Sequence, residues 1–230
     1  MKILAVDTAT EACSAALMID GTIEERYRLA PREHNRIILP MIESLMEEAG
    51  LGFAQLDGIA FGRGPGSFTG VRITAGVVQG LALGASIPLI PISTLAALAL
   101  EACTETGEDI AFAAIDARMG EVYWAGYRRI VPDDALQLIT AEVVIPPEDI
   151  PAADCPRAVA IGSGWGTYQD VLSDRLNVRD LTILPDRFPR ARAIARLGAI
   201  NFRLGHTCLP EEVEPVYLRD NVARKPAAKV

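Results

Sequence analysis

A chain of 230 residues, 50% of them hydrophobic, can bury a sizeable core in one large domain or two smaller lobes. Its formal net charge of -8 argues against nucleic-acid binding by the chain alone, because phosphate backbones attract basic surfaces. The four cysteines (Cys13, Cys103, Cys155, Cys208) and two histidines (His34, His206) are scattered, so neither a disulfide framework nor a zinc centre is indicated.

In chain order, residues 2–6 predict a short buried strand that ends at Asp7-Thr8-Ala9-Thr10. A carboxylate followed by hydroxyl residues suits a hairpin facing phosphate or a metal-bound nucleotide. Asp7 would hold a cation through water, and Thr8, Thr10 and the loop amides would meet phosphate oxygens. An Asx-type turn without any ligand is the other reading. Residues 13–19 and 22–28 predict two further strands, joined by the turn Asp20-Gly21. Asp7 also interrupts the leading apolar run, so no signal peptide is expected, and the unpaired cysteines fit a reducing, cytoplasmic compartment. A helix follows over residues 35–49, with Ile38, Met41, Ile42, Leu45 and Met46 at helical spacing and Gly50 as its stop. Pro40 either kinks this helix or sits in its first turn. His34, just ahead of it, reads either as a functional polar group or as a capping or solvated side chain.

The stretch Phe61-Gly62-Arg63-Gly64-Pro65-Gly66-Ser67-Phe68-Thr69-Gly70-Val71-Arg72 organises the rest. A strand over residues 56–60 leads into it, and a long apolar helix starting near Thr69 leaves it. Gly62, Gly64 and Gly66 permit the sharp turn, and Ser67 or Thr69 caps the helix. The spacing is not that of a Walker A loop, so a phosphate cradle at a helix N-terminus and a plain capped turn both stand. Between Ile73 and Leu100 there is no charge, which is long enough for a membrane span. Pro88 and Pro91 break it, however, and the expectation is buried core: a helix, a strand over 87–92, and a second helix from Ser93. In the first of these helices Thr69, Ile73, Gly76, Val77, Gly80 and Gly84 share one face. Glycines one turn apart weaken a helix, so their use lies in close approach of another backbone, either the chain's own sheet or a second subunit.

Residues 110–115 predict a strand ending at Asp116-Ala117-Arg118, followed by a second strand from Glu121 to Tyr127, which repeats the opening layout. Asp116 would orient water or metal and Arg118 a phosphate or carboxylate, or the two form an internal turn pair. Further strands are read over 136–144 and 158–161, the latter ending at Gly162-Ser163-Gly164, a second glycine-rich turn where a ligand could approach. Residues 190–204 form an amphipathic helix with Ile194, Leu197, Ile200 and Leu204 inward and Arg192, Arg196 and Arg203 outward. The basic tail Arg224-Lys225 to Lys229 closes the chain.

Two lobes, each opening with strand, aspartate, turn and strand, resemble the actin-like (ASKHA) α/β fold, in which nucleotide sits between duplicated lobes. The lobes would span residues 1–100 and 101–213, with 214–230 as a terminal segment. Taken together, Leu4-Ala5-Val6-Asp7-Thr8-Ala9-Thr10, the Gly64–Arg72 segment, Asp116-Ala117-Arg118 with Glu121-Val122-Tyr123, and Pro215-Val216-Tyr217-Leu218-Arg219 resemble the bacterial TsaB (YeaZ) family. The resemblance implies a cytoplasmic protein for making threonylcarbamoyladenosine beside the tRNA anticodon. It implies a non-catalytic heterodimer partner of TsaD, with TsaE in a larger complex, a homodimer when alone, tRNA met only through the complex, and no membrane. No cofactor is expected on this chain: ATP, ADP and a metal would sit on TsaD and TsaE. In TsaD the segment matching residues 88–98 carries an H-x-x-x-H metal motif, and here Thr94 and Leu98 stand at those places. Leucine cannot ligate a metal, so metal-dependent transfer and peptidase activity are not expected. The residues expected at the TsaD interface are Asn35, Ile38, Met41, Ile42, Thr69, Ile73, Gly76, Val77, Gly80 and Gly84. A vestigial nucleotide site would comprise Asp7, Thr8, Thr10, Gly64, Gly66, Ser67, Asp116, Arg118, Gly162 and Gly164. The competing expectation is an actin-like ATP-dependent small-molecule kinase using Asp7, Asp116 and the second glycine turn.

Overall fold

The structure, a computed structural model, describes residues 1–219. The opening strands β1 (Lys2–Asp7), β2 (Ala12–Ile19) and β3 (Thr22–Leu29) form an antiparallel meander, two near-continuous apolar runs buried on both faces and a polar edge strand, with the Asp20-Gly21 turn joining β2 to β3. Helix α1 (His34–Ala49) crosses over to β4 (Gly58–Gly62), and α2 (Phe68–Ala85) crosses to β5 (Leu89–Ile92). Both new strands run parallel to β1, giving a five-stranded sheet of order β3-β2-β1-β4-β5. After α3 (Thr94–Thr106) the pattern repeats. Strands β6 (Ile110–Arg118), β7 (Glu121–Ile130) and β8 (Ala135–Ile145) are antiparallel, whereas β9 (Ala153–Ile161) and, after α4 (Ser163–Arg175), β10 (Leu176–Leu184) add in parallel. The second order, β10-β9-β6-β7-β8, is the first one strand for strand, so the chain holds two copies of one mixed-sheet plan. This is the actin-like α/β architecture expected from the sequence.

The two packing units interleave across residue 100. Helix α3 fills the second sheet's face, with Leu95, Leu98, Ala99 and Ala102 against Ala111, Ala113, Val159 and Ile161. Helix α5 (Ala191–Arg203), last in sequence, returns to the first sheet, where Ala193, Ile194 and Leu197 meet Ile3, Ala5, Ala60 and Ile90. A Cβ on Gly198 would stand 2.5 Å from the Ala60 Cβ, so only glycine lets α5 lie so close to β4. The register departs from expectation at the end of α5: Leu204 lies beyond the helix and is 63% exposed. Arg192, expected outward, instead pairs with the buried Glu101 of α3, which would otherwise be an uncompensated charge. Strand β10 (Leu176–Leu184) is an element the residue pattern does not predict.

Pro40 lies inside α1, past its first turn, with Arg36 and Pro40 both exposed. The Arg36 carbonyl that loses its helical donor therefore faces solvent, which makes the proline tolerable. The charge-free segment divides unevenly. Helix α3 and β5 are almost wholly buried, whereas α2, which has the length and apolarity of a membrane span, is buried over only 33% of its residues. For α2 the expectation of buried core fails.

The lobes meet at a polar latch. Tyr127 of β7 donates from its hydroxyl to Glu142 Oε1 (2.6 Å), Arg63 beyond β4 donates to Glu142 Oε2 (3.1 Å), and Ser93 Oγ lies 3.3 Å from the tyrosine hydroxyl. Burial and the adjacent Glu142 carboxylate hold the Tyr127 phenol well above its ordinary pKa, so it stays a donor. Tyr127→Phe should lower stability by about 1–2 kcal/mol, seen as a shifted urea midpoint with unchanged slope.

Candidate interaction surface and interlobe cleft

The glycine stretch leaves β4 and caps α2 through Ser67, whose Oγ accepts from the Gly70 N–H at 3.4 Å; Thr69 is not the cap. What the helix N-terminus faces is the β1–β2 loop. The Ser67 N–H donates to the Ala9 carbonyl (2.7 Å), and Thr8 donates from Oγ1 to the Gly70 carbonyl (2.7 Å) while pairing with Thr74. Added Cβ atoms would come within 2.3 Å of Ala9 O at Gly66 and 2.1 Å of Thr8 O at Gly70. These glycines therefore serve a backbone-to-backbone contact, and the chain's own carbonyl takes the Ser67 amide of the prospective phosphate cradle.

A cleft of about 460 Å³ opens between the lobes. Thr10, Gly66, Ser67, Asp116 and Arg118 line it, with Phe68, Tyr123, Tyr217 and Arg219. Of the ten residues assigned to a vestigial nucleotide site, these five come together. Thr8 lies fully buried under α2, and Gly64 lies beneath the C-terminal segment, 3.1 Å from the Val216 carbonyl to its built Cβ. Gly162 and Gly164 press on the Ala114 backbone (2.3 and 3.0 Å to built Cβ atoms), so that turn serves packing. Asp116 is committed to Arg118, accepting from its N–H (2.8 Å) and its guanidinium (2.7 Å), and Arg118 also reaches Glu11 (3.1 Å).

Asp7 is fully buried: Oδ1 accepts from the Ala9 N–H (3.1 Å), and Oδ2 has no protein partner. Burial raises its pKa to about 7, with the Ala9 N–H opposing. A carboxyl so enclosed cannot touch a substrate in the cleft. Burial likewise raises the Cys13 and Cys103 thiols to about 12, which makes both poor nucleophiles. Thr94 and Leu98, at the places of the histidine motif, are both fully buried in α3. Among the described residues no three His, Cys, Asp or Glu side chains converge.

The expected interface residues split in two. Ile38 and Ile42 of α1 are 0% exposed and belong to the core against the first sheet, which removes both from any surface. Helical periodicity marked the apolar face of α1, but that face is the inward one. Asn35 is exposed and Met41 half-buried. On α2, Thr69, Gly76, Gly80 and Gly84 are exposed and Ile73 and Val77 half-buried, while Val71, Thr74, Ala75, Val78 and Ala82 point inward. Nothing lies within 4 Å of a Cβ built on Gly76, Gly80 or Gly84. The close approach those glycines permit is therefore not made to the chain's own sheet. Exposed Phe68, Arg72 and Leu83 extend the same helix's outer surface, and sequence reasoning missed them because only the glycine spacing drew attention there.

A family model described as TsaD, tRNA N6-adenosine threonylcarbamoyltransferase, matches residues 27–226. The chain is 44% identical to the tRNA threonylcarbamoyladenosine biosynthesis protein TsaB of Escherichia coli K12, covering 98% of this chain and 97% of that protein. It is 40% identical to the protein of the same name from Haemophilus influenzae, covering 98% and 96%. Among solved structures, YeaZ from Pseudomonas aeruginosa superposes with a TM-score of 0.86 at 41% identity, covering 94% of this chain and 99% of that one. With two matching sheets, a self-filled glycine loop and these relatives, the chain belongs to the TsaB (YeaZ) family.

Proposed function

We propose that this chain is the non-catalytic subunit that docks a TsaD-type threonylcarbamoyltransferase and supports transfer of the threonylcarbamoyl group to tRNA. A role in threonylcarbamoyladenosine biosynthesis follows the family, whose members carry that process in their names. The scaffold reading rests on one observation: the outer face of α2 is apolar, carries three unpacked glycines and holds a single charge, Arg72. Such a face is suited to lie against another helix at short interaxial distance. A TsaD-type subunit built on the same plan, to judge by the family-model match, would offer equivalent helices. TsaE would join the larger complex, ATP, ADP and metal would be held by the partners, and tRNA would be met through the assembly. A kinase reading draws no support from the cleft, where Asp116 is ion-paired and Asp7 is sealed.

The test is reconstitution. TsaD, TsaE, threonylcarbamoyl-adenylate and tRNA are combined with and without this chain, and modified adenosine is measured. Omission should abolish modification. Gly80→Leu should abolish both modification and co-purification with TsaD while leaving the circular dichroism unchanged. Survival of co-purification in Gly80→Leu would place docking elsewhere on the molecule.

A further inference from the structure

Arg72, at the start of the second turn of α2, is the helix's only charged residue. Its guanidinium carbon lies 3.4 Å from the centroid of the Phe68 ring and 5.5 Å from that of Tyr217. The two rings are 5.7 Å apart, tilted by 38°, and both are substantially exposed, Phe68 at 59% and Tyr217 at 44%. Tyr217 arrives from a distant part of the chain. Its segment is pinned by the Val216 N–H donating to the Arg63 carbonyl (2.9 Å), and by Arg219, which pairs with Glu121 and donates to the Ala117 carbonyl (3.1 Å). The chain thus uses two separate segments to set the plane of one guanidinium.

Its contacts within the chain are those two rings, and among the described residues Arg72 has no carboxylate partner, unlike Arg219 beside it in the same segment pair, which is bound to Glu121. Stacking fixes the plane of the guanidinium and leaves its N–H edge free, which suits bidentate contact with a planar anion. If the α2 face is covered, as the function proposed above requires, Arg72 at its end loses water, and an unmatched buried guanidinium would oppose docking. A carboxylate on the partner removes that penalty and sets the register of the two helices. A phosphate is the poorer match: α2 carries no second positive charge, of the cleft arginines beside Phe68 and Tyr217 both Arg118 and Arg219 are already ion-paired and only Arg32 is not, and the chain's net charge of -8 repels polyanions.

We propose that Arg72, held between Phe68 and Tyr217, receives an Asp or Glu carboxylate of the docked TsaD-type partner. This inference rests on the scaffold reading, and the experiment separates the two. Binding of the full chain to the TsaD of the same organism is measured by calorimetry at low and high sodium chloride, with and without tRNA. The variants are Arg72→Ala, Arg72→Lys, Phe68→Leu and Gly80→Leu, each checked by its melting temperature. Arg72→Ala should weaken binding about 10- to 100-fold and flatten its salt dependence. Arg72→Lys, which keeps the charge and decides the matter if the alanine variant melts early, should recover only part of the loss. Phe68→Leu should weaken binding several-fold with the charge intact. If Gly80→Leu abolishes binding while Arg72→Ala stays within twofold of wild type, the carboxylate anchor is wrong and the docking face stands. If Arg72→Ala weakens binding and Gly80→Leu does not, the anchor stands and the glycine face is wrong. A loss seen only with tRNA present assigns Arg72 to RNA and overturns the proposal.

Discussion

Asp7→Asn should make the protein more stable at pH 8 by about 4 kcal/mol and leave its stability near pH 4 unchanged. The expectation follows from where the carboxyl sits. It is fully buried at the end of β1, with Oδ2 facing Gly62 so closely that a Cβ there would lie 1.9 Å from it. Removing water from the ionised form lifts the pKa from 3.8 to about 7, against a single opposing N–H from Ala9. The native state then keeps a proton that the unfolded chain releases between about pH 4 and pH 7. Across that window the unfolded state binds fewer protons, so stability falls as pH rises, by about 1.4 kcal/mol per pH unit. Above pH 7 the loss is complete, and below pH 4 it is absent because both states are protonated. Asparagine keeps the acceptor that serves the Ala9 N–H and never ionises. Urea midpoints of wild type and variant, compared at pH 4, 5.5, 7 and 8, should diverge from pH 4 to pH 7 and then keep a nearly constant separation. A difference that does not change with pH would show that Asp7 titrates elsewhere.

The parts of this molecule that could be read from its residues are those set by local chemistry. The Asp20-Gly21 turn, the Ser67 and Ser93 caps and the Gly50 stop all act within a few positions, and each stands where the residue types demand. The paired strand–aspartate–turn layouts at Asp7 and Asp116 gave the duplicated plan for the same reason. Long-range partners were hidden. Strand β10, Leu176–Leu184, carries Arg179 and Asp180 at its middle, and its place on the edge of the sheet depends on β9 rather than on its own pattern. Ile38 and Ile42 show the limit of periodicity, which identifies an apolar stripe but not whether the chain's own sheet or another molecule covers it. Gly62, Gly66 and Gly70 look in sequence like a ligand loop, and only the positions of Asp7, Thr8 and Ala9 reveal that the loop closes on itself. The glycines of α2 were the reverse case: the residues posed the choice between sheet and partner, and the empty space around them decides against the sheet.

Replacing Gly76, Gly80 and Gly84 together by alanine should stabilise the isolated chain by about 2 kcal/mol while weakening its association with TsaD at least tenfold. Gly76 and Gly80 sit in the body of α2 and Gly84 in its last turn, where alanine gains less, and a Cβ at each meets nothing within 4 Å. In an exposed helix interior glycine is about 0.8–1 kcal/mol worse than alanine, because the unfolded chain has more freedom to lose. The three methyl groups would also make the outer surface more continuous and apolar, with no internal clash to offset the gain. Gly70, in the same helix, provides the contrast: its Cβ would lie 2.1 Å from the Thr8 carbonyl, so there glycine is required by the monomer itself. Association reads the other half. Methyl groups one turn apart hold an apposed helix away from the α2 backbone and remove contacts along the whole seam. Thermal melts of the free chain and calorimetry with TsaD should therefore move in opposite directions. Opposite signs on the two measurements are difficult to obtain from a purely structural role, since a glycine needed for folding loses stability and binding together. If binding is unchanged while the free chain is stabilised, α2 does not carry the partner; if both improve, the partner meets α2 without a close helix approach and the glycine seam is wrong.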